Sequence, residues 1–229
     1  MTQYSPTTTE VKEMFGSIAG RYDITNTVLS FGMHHLWKFR LVRLLAQDNS
    51  KKVLDLCTGT GDLLPLLAKR FGDVTGADFC EPMLNVGREK YKGRGYNFVQ
   101  ADAASLPFED ASFDIVTVSF GVRNFKDLKQ GLSEIRRVLT PDGTLLVLEF
   151  GQPKNFLFRS FYNFYSKYII PIIGGIMTGN RSAYTYLPQT SKTFPCGKAF
   201  EEILSELNFI KPESQPATFG IAYLYKASK

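Results

Sequence analysis

The amino-acid sequence predicts an α/β fold in which helices cover both faces of a doubly wound, mostly parallel sheet. Three observations lead to this prediction. Short apolar runs alternate with helical patterns from Lys51 to Phe150, a glycine turn follows the first run, and Asp78 and Asp102 end the next two. Strand–helix alternation of this length is typical of a parallel sheet that is buried on both faces.

Hydrophobic periodicity assigns the elements in order. Helices are predicted over residues 8–20, 33–46, 63–71, 82–90, 128–139 and 197–207. Strands are predicted over residues 53–57, 74–77, 98–99, 113–120, 144–150 and 219–226. Pro141-Asp142-Gly143 predicts a turn before the fifth strand. Residues 151–195 break the alternation, so we expect one domain over 1–229 with an insertion before the last strands.

The composition is typical of a globular protein without disulfides or metal. Apolar residues make up 44% of the 229 residues, which is enough for a full core. Cys57, Cys80 and Cys196 are widely spaced, and two histidines are too few for a His-rich metal site. The first residues lack the pattern of a secretory signal, and no segment reaches the ~20 apolar residues of a membrane span. We expect a cytoplasmic protein that holds no metal.

The excess of positive charge lies in one stretch. The net charge is +5, and residues 151–195 contain five basic residues, no acidic residue and a cluster of aromatic residues. Such a segment favours contact with an anionic membrane surface or with nucleic acid. A solvated basic face over a helical core is the alternative. Pro171 and Gly174-Gly175 are expected to interrupt any helix here.

The carboxyl ends of the first three strands carry the residues of an adenosine site. Gly59-Thr60-Gly61 follows the first strand, where glycine lets the backbone approach a ligand closely. Asp78 lies 19 residues after Gly59, the spacing at which a carboxylate can bind both ribose hydroxyls. Asp102 can accept a hydrogen bond from an adenine amino group. Each aspartate alone can be a helix N-cap, but the three strand ends together indicate an adenosine ligand.

The glycine turn does not fit nicotinamide or triphosphate sites. Leu64 stands where a dinucleotide fingerprint needs its third glycine, and the chain has no GxxxxGK[ST] loop. Asp55 precedes the turn and completes the pattern D-x-x-x-G-x-G, which is typical of class I methyltransferases. We therefore expect S-adenosyl-L-methionine as the cofactor, whose sulfonium carries an activated methyl group.

Longer motifs resemble one family. Residues 22–37, YDITNTVLSFGMHHLW, are similar to the signature Y-D-x-M-N-x-x-[LIVM]-S-x-x-x-H-x-x-W of the menaquinone/ubiquinone biosynthesis C-methyltransferases, with Thr25 in place of the usual Met. Residues 137–149, RVLTPDGTLLVLE, resemble its second signature, R-V-L-K-P-G-G-x-L-x-x-L-E, with two departures. Residues 119–124, SFGVRN, are similar to S-F-G-[LIV]-R-N. Thr58 stands where glycine is commoner.

The resemblance covers nearly the whole chain and implies the Rossmann-like fold of class I methyltransferases. It implies methyl transfer from S-adenosylmethionine to a ring carbon of a prenylated quinol, most often demethylmenaquinol. The cofactor contacts that it implies are Thr60, Asp78, Asp102, Ala103 and Ser119, with Gly59 and Gly61 shaping the loop. Residues 1–50 would then be a helical cover, 51–150 the cofactor-binding core, 151–195 an acceptor lid, and 196–229 the final helix and strands.

The chemistry of a quinol suggests catalytic roles. A quinol hydroxyl has a pKa near that of a phenol, ~10, and its ionisation makes the adjacent ring carbon nucleophilic. A nearby cation lowers that pKa, so we expect Arg123, just beyond the fourth strand, to stabilise the phenolate. His34 is the second candidate, as base or hydrogen-bond partner, and Tyr22 and Asn124 are expected to orient the acceptor. The alternatives are an ion pair for Arg123 and, for His34, a structural hydrogen bond that closes the N-terminal helices.

Two segments are expected to enclose the site. Residues 4–37 would cover the cofactor and keep water away, with core packing as the alternative. Because a prenyl tail lies in the bilayer, residues 151–195 are expected to form a lid or tail groove that contacts the inner face of the membrane. A core insertion is the competing interpretation.

Other functions remain open at this stage. The acceptor can be a benzoquinol precursor of ubiquinone, another lipophilic molecule such as a sterol or fatty acyl chain, or RNA. A non-catalytic nucleic-acid-binding protein is the alternative from another class. A surplus of five charges mixed with bulky apolar residues argues against it, so nucleic acid is not expected as a partner. The sequence leaves the choice between a monomer and a homodimer open.

Overall fold

One sheet of seven strands organises residues 8–229, which the computed structural model describes apart from the side chains of Thr8, Tyr186, Leu187 and Gln189. The strands are β1 (Asp48–Leu56), β2 (Phe71–Asp78), β3 (Asn97–Gln100), β4 (Phe113–Ser119), β5 (Leu139–Phe150), β6 (Ile210–Ala217) and β7 (Ala222–Ser228). Their order is β3-β2-β1-β4-β5-β7-β6. The first five strands are parallel, and β7 runs antiparallel to β5 and β6.

The helices of the described chain precede, alternate with and follow the strands. They are α1 (Thr8–Ile18), α2 (Tyr22–Leu29), α3 (Met33–Val42), α4 (Leu64–Ala68), α5 (Glu81–Lys90), α6 (Leu128–Val138), α7 (Phe156–Phe164), α8 (Ile170–Thr178), α9 (Arg181–Thr193) and α10 (Lys198–Glu206). A 3-10 turn, Val122–Asn124, follows β4, and a π turn, Tyr165–Ile169, joins α7 to α8.

Alternating side chains of β1 divide the core into two layers. Leu54 and Leu56 belong to one buried cluster and Val53 to another. Full burial of one such side chain contributes about 1.5–3 kcal/mol. The helix residues in these layers are Leu132, Ile135, Phe200 and Leu204 on one face and Trp37, Leu41, Leu64 and Leu67 on the other. Helices therefore cover both faces of a doubly wound sheet, and the predicted fold class is confirmed.

The structure corrects several predicted boundaries. The predicted helix over 63–71 ends at Ala68, and β2 already begins at Phe71. The predicted turn Pro141-Asp142-Gly143 lies inside β5, where the register with β4 shifts between the pairs Phe113–Leu139 and Ile115–Thr144. The extra residues of β5 form a bulge there, which bends the strand without ending it.

Strand β6 was not predicted from the sequence. Its residues, IKPESQPA, are mostly exposed and include two prolines. Proline cannot donate a hydrogen bond to a strand ladder and is confined to edge strands and bulges. With its prolines and polar residues, β6 lacks the apolar pattern by which a buried strand is predicted. It pairs only with β7 and forms one edge of the sheet. The predicted last strand, 219–226, begins later, at Ala222, after a 3-10 turn over Thr218–Gly220.

The N-terminal cover consists of α1, α2 and α3. The predicted helix over 8–20 ends at Ile18, and the helix over 33–46 ends at Val42. Helix α2 was not predicted, because its sequence, YDITNTVL, has polar residues between its apolar ones. Residues 4–7 of the predicted cover lie outside the described residues.

The insertion, residues 151–195, is helical, and its first helical run continues through the residues where an interruption was expected. Helix α7, the π turn and α8 follow one another without a break from Phe156 to Thr178. Pro171 is tolerated because it lies in the first turn of α8, directly after a π turn that loosens the local hydrogen-bond ladder. Gly174 permits close contact with α9, since a Cβ there would lie 2.3 Å from the Tyr184 ring.

The helices of this fold do not have the dimensions of a bilayer span. Among the helices of residues 8–229, none is both long enough and apolar enough to cross a membrane.

Candidate active site

A cleft of about 850 Å³, here called the strand-end cleft, opens at the carboxyl edge of the parallel strands. Residues that follow β1, β2, β3 and β4 meet there because parallel strands end at the same edge of a sheet. Five of the seven residues predicted to bind the cofactor line this cleft: Gly59, Asp78, Asp102, Ala103 and Ser119. The cover closes the cleft with Val11, Phe15 and Tyr22.

A buried carboxylate fixes the glycine turn at the floor of the cleft. Asp55 is 2% exposed and accepts hydrogen bonds from the hydroxyls of Thr58 at 2.7 Å and Thr117 at 2.6 Å. Gly59 and Gly61 have φ values of +57° and +77°, a region in which side chains are strained. Thr58, unusual for the family's pattern, therefore serves to anchor the turn. Burial raises the pKa of Asp55 to about 6, although the two hydroxyl hydrogen bonds oppose the shift.

Asp78 joins the glycine turn to the end of β2. Its two carboxylate oxygens accept hydrogen bonds from the backbone N–H groups of Gly59 and Cys80, each at 2.9 Å. A carboxylate has about four acceptor positions, so acceptor capacity remains for a ribose hydroxyl. Burial raises the pKa of Asp78 to about 6, and the backbone hydrogen bonds oppose that rise.

Asp102 and Ser119 complete the wall of the strand-end cleft. The Asp102 carboxylate accepts a hydrogen bond from the Ala104 N–H at 2.9 Å, which fixes the turn after β3. The Ser119 hydroxyl is buried and has no hydrogen-bond partner among the described residues. A buried hydroxyl without a partner is uncommon in folded proteins, and a polar ligand in the cleft would satisfy it.

Thr60 and Asn124 occupy different parts of the site. Thr60 lines neither the strand-end cleft nor the larger cavity described below, and its hydroxyl donates a hydrogen bond to Asp23 at 2.5 Å. The structure therefore does not support a direct cofactor contact by this hydroxyl. Asn124 lines the strand-end cleft and not the larger cavity. Its expected role in orienting the acceptor stays a prediction.

A second space, here called the apolar cavity, adjoins the cleft and has a volume of about 1710 Å³. Tyr22, Gly59 and Ser119 line both spaces, so the two are neighbours. Its apolar and aromatic walls come from the cover, the sheet and the insertion: Leu29, Met33, Trp37, Phe120, Phe150, Phe158, Phe161, Tyr162, Tyr165 and Ile170. Segments distant in sequence thus enclose one apolar site beside the strand-end cleft.

Arg123 lies in the wall of this cavity and forms a buried ion pair. Its Nη1 lies 2.6 Å from Glu149 Oε1 and donates to the Phe120 carbonyl, also at 2.6 Å. The side chains of Arg123 and Glu149 are 5% and 0% exposed. The Arg123 Nε is buried without a partner in the part of the chain that the structure describes. The ion pair that was the alternative role for Arg123 is therefore present, and Arg123 also belongs to the wall of the cavity.

The sequence contained a signal for Glu149 that the prediction did not use. Glu149 is the one charged residue in the apolar run Thr144–Phe150. A buried carboxylate needs a cationic or hydrogen-bonding partner, so this residue pointed to a cation nearby. Its oxygens also accept hydrogen bonds from the N–H groups of Phe150 at 2.8 Å and Arg123 at 3.3 Å.

His34 also lines the apolar cavity and is 6% exposed. Its Nδ1 lies 2.7 Å from the Ser30 hydroxyl, which donates to the Asn26 carbonyl at 2.7 Å. Since this hydroxyl has one hydrogen, we assign the proton of the ring to Nδ1 and a lone pair to Nε2. Burial, assisted by the Lys38 cation, lowers the pKa of His34 to about 4, so the ring is neutral at pH 7. The structural hydrogen bond that was the alternative role for His34 is therefore present, and the same residue also lines the cavity.

A second ion pair, between Lys38 and Asp62, was not predicted. The Lys38 ammonium donates to both Asp62 oxygens at 2.5 and 2.6 Å, and both side chains are largely buried. The pair connects α3 of the cover with the residue that follows the glycine turn. Tyr22 lies nearby, and burial raises its pKa to about 12 although the Arg123 cation opposes the rise.

Sheet order, glycine turn, aspartates at the strand ends and an enclosed neighbouring cavity together define a class I S-adenosylmethionine-dependent methyltransferase. A solved S-adenosylmethionine-dependent methyltransferase from Thermotoga maritima has the same fold, with a TM-score of 0.68, 16% identity and coverage of 95% of this chain and 99% of that one.

Residues 2–229 match the ubiE/COQ5 methyltransferase family, and the chain belongs to it. It is 43% identical over 233 residues to the ubiquinone/menaquinone biosynthesis C-methyltransferase UbiE of Bdellovibrio bacteriovorus, covering 100% of this chain and 99% of that protein. It is also 43% identical over 216 residues to the demethylmenaquinone methyltransferase of Thermus thermophilus, covering 93% of this chain and 98% of that protein. The predicted family, enzyme class and cofactor are confirmed.

The strand-end cleft fits S-adenosylmethionine, which supplies an activated methyl group when bound. Asp78 and Asp102 would accept hydrogen bonds from the hydroxyl and amino groups of an adenosine, and the Ser119 hydroxyl has no partner among the described residues. Tyr22 and Phe15 of the cover limit the access of water. These are the residues to which we assign the holding of the cofactor.

The raised pKa of Asp78 predicts a pH-dependent affinity for the cofactor product, S-adenosylhomocysteine. An ionised carboxylate is the better acceptor for two hydroxyls, so binding is strongest above pH 7 and weakens as pH falls through about 6. At pH 5 the dissociation constant should be about tenfold higher than at pH 8. Titration calorimetry between pH 5 and 8 measures this dependence.

The matched variant is Asp78→Asn, which keeps the size of the side chain and cannot ionise. We expect weaker binding in this variant and a dissociation constant that is constant from pH 5 to 8. If the variant retains the pH dependence of the unmodified protein, the titrating group is not Asp78. Asp55, whose pKa is also about 6, would then be the group responsible.

Proposed function

We propose that the protein transfers the methyl group of S-adenosylmethionine to a ring carbon of a prenylated quinol, with demethylmenaquinol as the preferred acceptor. The observation that carries this proposal is the apolar cavity beside the strand-end cleft, with Arg123 and His34 in its wall. The names of the two relatives refer to ubiquinone/menaquinone biosynthesis and to demethylmenaquinone, which supports the same acceptor class.

The chemistry of the cavity suits a quinol ring. Its aromatic walls favour a flat apolar ring, and Arg123 provides a cation to lower the pKa of one quinol hydroxyl. The Arg123 Nε has no hydrogen-bond partner among the described residues, and we assign to it the donation to the resulting phenolate oxygen. As the ring carbon gains its methyl group, the ring hydrogen leaves as a proton. His34, neutral at pH 7, is the base that we assign to this proton.

The proposal predicts methylation of a reduced quinol. Labelled S-adenosylmethionine is incubated in detergent with reduced demethylmenaquinol and, in parallel, with the reduced benzoquinol precursor of ubiquinone that lacks its ring methyl. We expect labelled product on the naphthoquinol, and the product ratio decides between the two pathways. Parallel reactions with a sterol, a fatty acyl lipid and RNA test the other acceptors. Product on one of these and on neither quinol would contradict the proposal.

Replacement of Arg123 tests its proposed role in stabilising a phenolate. A single Arg123→Met change leaves Glu149 buried and unpaired, which costs about 3–5 kcal/mol of stability and obscures the catalytic effect. The double variant Arg123→Met, Glu149→Gln removes both charges and retains a side-chain oxygen at position 149 that can accept a backbone hydrogen bond. We expect kcat to fall about 10²–10³-fold, with the dissociation constant of S-adenosylhomocysteine little changed. A double variant that retains normal kcat would reduce the Arg123–Glu149 pair to a structural role.

A membrane contact through the insertion belongs to the same proposal. Along the helical run 156–178, exposed apolar side chains recur at intervals of three or four residues, so they lie on one face. This exposed stripe consists of Leu157, Phe161, Phe164, Tyr168, Ile172 and Ile176. Phe161 also lines the apolar cavity, so the stripe adjoins the wall of the acceptor site. Arg159 and Lys167 on the same run favour an anionic bilayer, which for a cytoplasmic protein is the inner face of the membrane.

The membrane contact predicts binding to vesicles. We expect flotation with liposomes that contain anionic lipid, weaker binding to neutral liposomes, and loss of binding in the variant Leu157→Glu, Ile176→Glu. The control is Ile210→Glu, an exposed apolar site outside the stripe, on the edge strand β6. Light scattering determines whether the stripe instead joins two copies of the chain. A mass that falls from dimer to monomer in the double variant, without vesicle binding by the unmodified protein, would contradict a membrane contact.

A further inference from the structure

Asp23, near the start of α2, connects three elements around the cofactor site. One carboxylate oxygen accepts the hydrogen bond of Thr60, in the glycine turn, at 2.5 Å. The other lies 2.7 Å from the ammonium of Lys90, at the end of α5. The side chains of Lys90 and Asp23 are 34% and 36% exposed. One half-exposed carboxylate thus holds the cover against the cofactor-binding core.

Asp23 lies next to side chains that close the strand-end cleft. Its neighbour Tyr22 lines both the strand-end cleft and the apolar cavity, and Phe15 of α1 does the same. A cover that moves away from Thr60 would remove these side chains from the wall of the cleft. Such a movement would widen the route by which a ligand enters or leaves the cleft.

The cover has a second attachment of a different kind. The Lys38–Asp62 pair joins α3 to the same turn, with both Asp62 oxygens occupied and side chains 10% and 20% exposed. Breaking a largely buried pair leaves a desolvated charge and is costly. A half-exposed pair such as Asp23–Lys90 opens at lower cost and is weakened by salt. The two attachments therefore differ in how readily they open.

We propose that Asp23 is a positioning residue that keeps the cover closed over the bound cofactor, and that its contacts with Thr60 and Lys90 open during cofactor exchange while the Lys38–Asp62 pair remains in place. This assigns Thr60 of the glycine turn to the cover rather than to the ligand. It also gives Lys90, which lines neither described cavity, a role in retaining the cofactor.

The test measures ligand release rather than methyl transfer. Dissociation of S-adenosylhomocysteine is followed by stopped-flow fluorescence of Trp37, the single tryptophan of the chain, which lies in the cavity wall. The variants are Lys90→Met, which keeps the length of the side chain, and Asp23→Asn, which keeps an oxygen for Thr60. The control is Lys129→Met, which breaks an exposed ion pair with Glu206 between α6 and α10.

We expect both variants to release the ligand about two- to fivefold faster, the range that corresponds to a half-exposed ion pair. The melting temperature of the ligand-free protein should change little, and Lys129→Met should alter neither quantity. Added salt should accelerate release from the unmodified protein and have less effect on Lys90→Met. An unchanged release rate in Lys90→Met overturns the proposal. The proposal is also overturned if the variants destabilise the ligand-free protein by as much free energy as they destabilise the complex. That result would assign Asp23 and Lys90 to folding alone. If Asp23→Asn does not fold, the result with Lys90→Met decides.

Discussion

The buried carboxylate of Asp55 is the interaction on which the rest of the site depends. It holds the hydroxyls of Thr58 and Thr117, and so fixes the glycine turn to the neighbouring strand β4. The turn then presents the Gly59 N–H to Asp78. Burial opposes the ionisation of Asp55, and two hydrogen bonds offset part of this cost. A neutral apolar residue would leave both hydroxyls without this partner and the turn without a fixed conformation.

The same short segment also supports two helices of the cover. Thr60 and Asp62, which flank Gly61, hold α2 and α3 of the cover through Asp23 and Lys38. The backbone side of the turn faces the strand-end cleft, whereas these side chains face the cover. Each residue of the segment therefore has a defined direction. Through these contacts the sheet positions α2 and α3, which precede the turn in the sequence.

Features that depend on a local hydrophobic pattern could be predicted from the sequence, whereas contacts between distant residues could not. The end of β1 and the positions of Asp78 and Asp102 were predictable, because buried parallel strands carry apolar runs and end at one edge. The direction of Thr60 was not, since consecutive residues of a tight turn point to opposite sides. The Arg123–Glu149 pair joins residues from two neighbouring strand ends, 26 positions apart, and no local pattern encodes it. Strand β6 escaped prediction because an exposed edge does not need apolar residues.

The buried pair of Arg123 and Glu149 shows how a cation can serve an apolar site. An unpaired guanidinium in this wall would bear the full cost of desolvation, and the attraction to Glu149 offsets part of that cost. Pairing does not cancel the field in the cavity, because Arg123 belongs to the cavity wall, whereas Glu149 is fully buried and is absent from the wall residues that the structure describes. The proposed acceptor therefore meets the positive end of a fixed dipole. In a site of low dielectric, such a dipole favours a phenolate over the neutral hydroxyl, and it needs no rearrangement when the charge develops.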